Sequence, residues 1–231
     1  MPESGGIEVA RLDSLRVFFD RMLAPRSVVR GNVQLVSGNV AVLRSVRWDP
    51  VSQAVVASPF GEVPLEPNIQ YRLRLSGLRD LEDRFLEEPI EIPFRTGMNL
   101  GLREVPREVG FAEVEALLQR RCANQGCHGG DEPAVGLDLS SAEGIRRTTN
   151  RRARQSPATT SIHPRGTRVL VGLPIIDRVA GTGRPETSYL LYKILGEEHI
   201  LGEPMPPDEP LSEGEIRNLS DWIRGGAPTD G

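Results

Sequence analysis

Tyr71-Arg72-Leu73-Arg74-Leu75-Ser76 alternates apolar and polar residues with a period of two, the pattern of a strand with one face buried and the other in water. Outward from it, Leu15, Val17 and Phe19 alternate with Arg16, Phe18 and Asp20, and Ile90, Ile92 and Phe94 alternate with Glu91, Pro93 and Arg95. Val33 to Val36, Val40 to Trp48 and Ala54 to Ala57 add further strand-length apolar runs, with Asp49-Pro50-Val51-Ser52 as a hairpin turn. About six strands, spaced by roughly 8 to 12 residues, predict a sandwich of two antiparallel sheets between Leu15 and Thr96. This half has no His and no Cys, its acids are scattered over turns, and no catalytic constellation is present in it.

Beyond Gly97 the period changes. Phe111, Val114, Leu117 and Leu118 recur at helical spacing between Gly110 and Arg121; Ile216, Leu219, Trp222 and Ile223 do so behind Ser212 and Glu215, which are spaced as a capping box. Ser188 to Leu195, between Pro185 and Gly196, predicts a third short helix. The Gly- and Pro-rich connections Thr148 to Arg168 and Gly202 to Pro210 are long for a helical bundle held by side chains alone. Something besides side chains is therefore expected in the core. The expected fold class is two domains, an all-β sandwich at 7–97 and a mainly α domain at 110–228, joined by a linker at 98–109.

Composition sets the outer bounds. The 231 residues carry 28 Lys+Arg and 32 Asp+Glu, a net charge of −4, and 38% hydrophobic residues. That is enough for two small cores, and no run approaches the roughly 20 apolar residues of a membrane helix. The acidic balance argues against a general nucleic-acid binder. The one basic cluster, Arg146, Arg147, Arg151, Arg152 and Arg154, lies in a Ser/Thr-rich stretch without interleaved aromatics and reads as a solvated loop. Lys193 is the single lysine of an Arg-rich chain. Met1 to Ala10 has neither a basic nor an apolar signal region, so the expectation is either a cytosolic protein or an exported one whose signal is removed.

The first half resembles the bacterial Ig-like domains of S-layer and other exported surface proteins. The resemblance covers about residues 7 to 97 and rests on Leu15-Arg-Val-Phe-Phe-Asp-Arg-Met-Leu-Ala-Pro25, on Leu65-Glu-Pro-Asn-Ile-Gln-Tyr71 through Gly77-Leu-Arg-Asp80, and on Phe94-Arg-Thr96-Gly97. It implies an exported protein whose module spaces or docks other parts.

Both cysteines stand in Cys122-Ala-Asn-Gln-Gly-Cys127-His128-Gly129-Gly130. Covalent haem attachment needs two nearby thiols for the porphyrin vinyl groups, and an imidazole directly after the second thiol as proximal ligand. The usual spacing is C-x-x-C-H; here two extra residues must bulge, for which Asn124, Gln125 and Gly126 are suited. A thioether from a later loop is the common sixth ligand, and Met205, between Pro204 and Pro206-Pro207, is the candidate, with His199 as runner-up. A Cys122–Cys127 disulfide in a haem-free interaction protein remains open. So does a zinc site of Cys122, Cys127, His128 and His163 or His199, although three donors within seven residues make an awkward tetrahedron. A redox thiol pair would sit at a helix N-terminus, whereas this pair follows a helix. No nucleotide loop, Gly-x-Ser-x-Gly, His-Glu-x-x-His or calcium-loop pattern is present, so catalysis by side chains is not expected.

At these residues the chain resembles class I cytochrome c domains of the exported single-haem planctomycete and myxobacterial type, over about residues 108 to 228. The matching residues are Cys122, Cys127, His128 and Gly129, Gly136-Leu-Asp-Leu139, Pro185-Glu-Thr-Ser188-Tyr-Leu-Leu191, Met205-Pro-Pro207, and Leu211-Ser-Glu-Gly-Glu-Ile216 through Asp221-Trp-Ile-Arg-Gly-Gly-Ala-Pro228. The widened Cys spacing and the insertion from Arg146 to Arg168 depart from that family. The resemblance implies one covalent haem c with His128 and Met205 as axial ligands and one-electron transfer to an unidentified redox partner. It also implies a first helix packed across the last, and a periplasmic or cell-surface location.

Overall fold

The computed structural model describes residues 7–42, 44–59, 63–105, 107–149, 173–179, 182–198, 200 and 202–229. The chain forms two compact units, Met1–Val105 and Pro106–Gly231.

The first unit is built from eight strands: β1 (Ile7–Val9), β2 (Leu15–Phe18), β3 (Val33–Ser37), β4 (Val40–Val42), β5 (Arg44–Asp49), β6 (Ala54–Pro59), β7 (Gln70–Leu75) and β8 (Ile90–Thr96). They make a five-stranded sheet in the order β1-β8-β7-β3-β4 and a three-stranded sheet in the order β2-β6-β5. The period-2 reading explains which side chains turn inward. In β7, Tyr71, Leu73 and Leu75 are buried while Arg72 and Arg74 are exposed, and in β8 Phe94 and Thr96 are buried while Pro93 and Arg95 are exposed. Phe18 is exposed and its neighbour Phe19 meets the buried Trp48 edge-on, ring centroids 6.3 Å apart. Tyr71 and Phe94 stack at 5.7 Å.

Asp80, a buried carboxylate, organises the loop after β7. Its Oδ1 accepts the N–H groups of Glu82 and Arg84, each at 2.9 Å, and its Oδ2 accepts Arg84 Nε at 2.7 Å. Burial opposes its ionisation, but the Arg84 guanidinium and these N–H groups outweigh it and hold the carboxyl below its ordinary value.

The second unit holds α1 (Phe111–Arg121), α2 (Ala142–Thr149), α3 (Tyr189–Leu195) and α4 (Glu213–Arg224), with a ribbon of β9 (Arg178–Val179) and β10 (Thr182–Gly183). Its core joins Phe111, Val114 and Leu118 of α1 to Leu219, Trp222 and Ile223 of α4, and the Phe111 and Trp222 rings lie 6.4 Å apart. The capping box is formed: Glu215 N–H donates to Ser212 Oγ at 3.3 Å, and Ser212 N–H donates to Glu215 Oε2 at 2.9 Å. A Cβ at Gly183 would run into the Ile223 carbonyl, so β10 presses its backbone on α4.

The expected fold class, an all-β antiparallel sandwich followed by a mainly α cytochrome c fold, is corrected in three respects. β1 pairs with β8 in parallel, which makes the larger sheet mixed. The run Val40 to Trp48 is not one strand but β4 and β5, which belong to different sheets. Most importantly, the second unit is not a mainly helical cytochrome domain. Its described residues hold helices of 11, 8, 7 and 12 residues, two 3-10 turns, a ribbon and irregular connections. Moreover, no group of three or more His, Cys, Asp or Glu side chains able to hold a metal forms among the described residues of the chain. The cause is local: side chains such as Asp138, which accepts Ser140 N–H at 3.0 Å and Ser140 Oγ–H at 2.6 Å, satisfy the backbone in turns instead of extending the helices. The solvated-loop reading of the basic cluster also changes, since Arg146 and Arg147 belong to α2; Arg151, Arg152 and Arg154 lie outside the described residues.

Candidate functional site

Cys122 is the C-terminal cap of α1, its N–H donating to the Leu118 carbonyl at 2.8 Å. From there the chain makes a loop that returns on itself: the Cys122 carbonyl accepts the His128 N–H at 3.0 Å, and the Asn124 carbonyl accepts the Cys127 N–H at 2.9 Å. Gly126 closes the turn at a φ of +82°, and Gly129 is needed because a Cβ there would overlap the Ala123 carbonyl. Further hydrogen bonds fix the exit. Ala134 N–H donates to the Cys127 carbonyl at 2.6 Å, and Leu139 N–H donates to the His128 carbonyl at 2.8 Å. The two residues between the thiols beyond the usual spacing are thus accommodated in a bonded loop.

Both thiols are free; Cys127 is exposed and Cys122 half-buried. Burial pushes the Cys122 thiol up to about 11; the Arg121 guanidinium opposes this, while Cys127 and Glu215 add to it. Cys122 is therefore a thiol at neutral pH and a weak nucleophile by thiolate standards. His128 is half-buried. Burial, the largest influence, lowers its imidazole below the ordinary 6.5; the backbone of Ala134 and Leu137 opposes this and the Lys193 ammonium reinforces it. At pH 7 the ring is neutral, the form that ligates a metal. Its Nδ1 is fully buried and makes no hydrogen bond of regular geometry, although the backbone of Ala134 and Leu137 faces the ring.

Met205 is half-buried on the loop before α4, and two residues hold that loop. Lys193, buried on α3, accepts the Met205 N–H on its carbonyl at 3.0 Å, and its Nζ donates to the Glu203 carbonyl at 2.8 Å. Arg121, adjacent to Cys122, donates to Glu209 Oε2 and to the Glu209 carbonyl, both at 2.7 Å. Lys193 and Arg121 therefore tie the Met205 loop to the surroundings of His128 and Cys122. Sequence reasoning missed Lys193 as part of the site; its signal was its status as the one lysine of the chain. His163 and His199, the remaining candidate ligands, lie outside the described residues. Cys122, Cys127 and His128 do not converge into a three-donor cluster, which disfavours the zinc reading.

These residues fit a covalently attached haem in three respects: two free thiols, one of them exposed, a neutral imidazole fixed directly after the second, and a buried Nδ1 edge that leaves Nε2 as the nitrogen to ligate iron.

No protein-family model and no curated protein matches the chain. Among solved structures, the chain is similar to the N-terminal part of the bacterial S-layer protein SbsC, at 15% identity and a TM-score of 0.34 over 46% of this chain and 24% of that one. Domains 1–6 of the surface layer protein SbsC match at 14% identity and a TM-score of 0.33, over 46% of this chain and 14% of that one. The chain thus spans about a quarter or less of the length of these structures. None of these findings bears out the resemblance of residues 108 to 228 to cytochrome c domains. No helix among the described residues is long and apolar enough to cross a membrane.

Proposed function

We propose that the protein is an exported one-electron carrier that holds one haem c through thioether bonds to Cys122 and Cys127, with His128 and Met205 as axial ligands. The observation that carries this reading is the bonded 122–128 loop, which presents two free thiols and a neutral, half-buried imidazole as one rigid group. A haem held there would supply an Fe(III)/Fe(II) couple. The chain's own part is to hold and to orient. Cys122, protonated at neutral pH, and Cys127 would be the thiols that hold the haem's vinyl carbons. His128 is kept neutral by burial, and its backbone bonds to Cys122 and Leu139 prevent the ring from swinging away. Lys193 holds Met205 at the loop end, and its positive charge near the site favours the more electron-rich state of any redox centre placed there. The sheet-rich first unit would position the centre against a surface or a partner, and covalent haem chemistry places the protein in the periplasm or at the cell surface.

The second reading, a haem-free surface protein with a Cys122–Cys127 disulfide, draws on the proximity through which Cys127 raises the Cys122 thiol. One experiment separates the two. The protein exported alongside haem-attachment machinery is digested with trypsin after alkylation, and the peptide 122–146 is weighed. A peptide bearing haem and no alkyl group supports the carrier. An alkylated peptide, or one that gains two alkyl groups only after reduction, contradicts it.

A further inference from the structure

The crossing from one sheet to the other in the first unit leaves a cavity. β4 is the outermost strand of the five-stranded sheet and β5 the outermost strand of the three-stranded sheet, so Val42 and Arg44, two positions apart, stand on different edges. A cavity of about 440 Å³ opens beside them, within the size range of small-molecule sites. Val42, Val63, Pro64, Leu65 and Tyr71 give it a largely apolar wall, and Arg44 lines it.

Arg44 is 5% exposed, and its Nη2 is buried with no hydrogen-bond partner. Burial, the larger influence, pushes the guanidinium below its ordinary value and Tyr71 opposes this; a guanidinium still stays charged at neutral pH, and no carboxylate among the described residues pairs with it. The other deeply buried charges of this unit have partners. Asp49, at the far end of the same strand, lies 3.7 Å from Arg16 and 3.5 Å from Arg47, and Asp80 has Arg84 at 2.7 Å. A buried guanidinium with an unpaired Nη2 destabilises the fold that contains it, so it calls for a compensating partner and is a candidate for a binding site.

We infer that this cavity binds a monocarboxylate carried on a short apolar body, with the Arg44 guanidinium taking the carboxylate and the apolar wall taking the hydrocarbon. Glu66 also lines the cavity and is exposed at its rim. Its charge opposes a second negative group, so a dicarboxylate is disfavoured. The carboxylate can belong to a free small acid or to the C-terminus of a peptide.

The test is an NMR titration of the full-length, isotopically labelled protein with hexanoate, hexanol, and an acetylated tripeptide ending in valine, as the acid and as the amide. Hexanoate is expected to give saturable shifts at the Arg44 Nε–H and at Val63 and Tyr71. Hexanol should bind at least about tenfold more weakly, having no charge for the guanidinium. Tighter binding of the peptide acid than of hexanoate, with none by the amide, assigns the site to a chain terminus; the reverse assigns it to a free acid. Arg44→Met should abolish binding while raising Tm by about 4 °C or more, because the uncompensated charge is gone. Equal binding of hexanoate and hexanol, no binding by either acid, or a lowered Tm in Arg44→Met would each overturn the inference. Arg44→Met failing to fold would overturn it as well, and the comparison of acid with alcohol in the native chain tests the binding independently of any variant.

Discussion

Gly129 is where the loop that carries the thiols is most sensitive to a single atom. A Cβ at this position meets the Ala123 carbonyl rather than a side chain that can move aside, so Gly129→Ala must open the loop and pull His128 away from the Cys122 carbonyl. A loss of about 2–3 kcal/mol in the second unit is expected in chemical denaturation, of the size typical for a methyl group forced into a packed position. An unchanged midpoint would mean that the loop is not closed as described. Asp80 governs the first unit in a different way. Its folded carboxyl titrates below the ordinary 3.8, so the unfolded chain binds the proton first. The stabilisation it gives is complete above that value and is lost as the pH falls through the lower, folded one. Asp80→Asn should cost about 2 kcal/mol at neutral pH, since Arg84 Nε loses a charged acceptor. It should also flatten the acid limb of a Tm-against-pH curve; an acid limb identical to that of the native protein would show that folding does not lower this carboxyl's pKa.

Among the elements, α4 depends on its first turn. Ser212 Oγ accepts the Glu215 N–H, and the Glu215 carboxylate accepts the Ser212 backbone N–H, so Ser212→Ala removes the side-chain half of the cap, leaves the backbone half, and should cost about 1 kcal/mol. A melt of the variant against the native protein measures this; no loss would mean that the helix starts elsewhere. This cap was legible in the sequence because its two residues are local and spaced by the helix itself, and so were the apolar stripes of α1 and α4. α2 was not. Its inward face carries Thr148 and Thr149, buried with their hydroxyls donating to the carbonyls four residues back, Gly144 at 2.8 Å and Ile145 at 2.6 Å. A polar face satisfied by its own backbone leaves no apolar period to read. β1 escaped notice for a related reason. It is three residues long, and its pairing with β8 is parallel and distant in sequence, so nothing local announces it.

At the scale of the whole molecule, the sequence overstated how regular the second unit is. Periodicity located α1 and α4, but it cannot show that the segments between the helices are closed by turns and a ribbon instead of helical packing. The candidate site shows the same division. The residues of the 122–128 loop are contiguous and were legible as chemistry; the contacts that hold Met205, through Lys193 and Arg121, join α3 and α1 to a loop far away in sequence and appear only in three dimensions. Arg44 was likewise invisible, since an arginine at the start of a strand reads as solvated until both sheet edges bury it. The central claim is that the bonded Cys122–His128 loop holds a haem. It is tested most directly by the reduced pyridine haemochrome spectrum of the full chain exported with haem-attachment machinery, taken with its intact mass. The account expects a thioether-type spectrum and a mass higher by one haem. A colourless protein, whether it has two free thiols or is two hydrogens lighter as a disulfide, would contradict it.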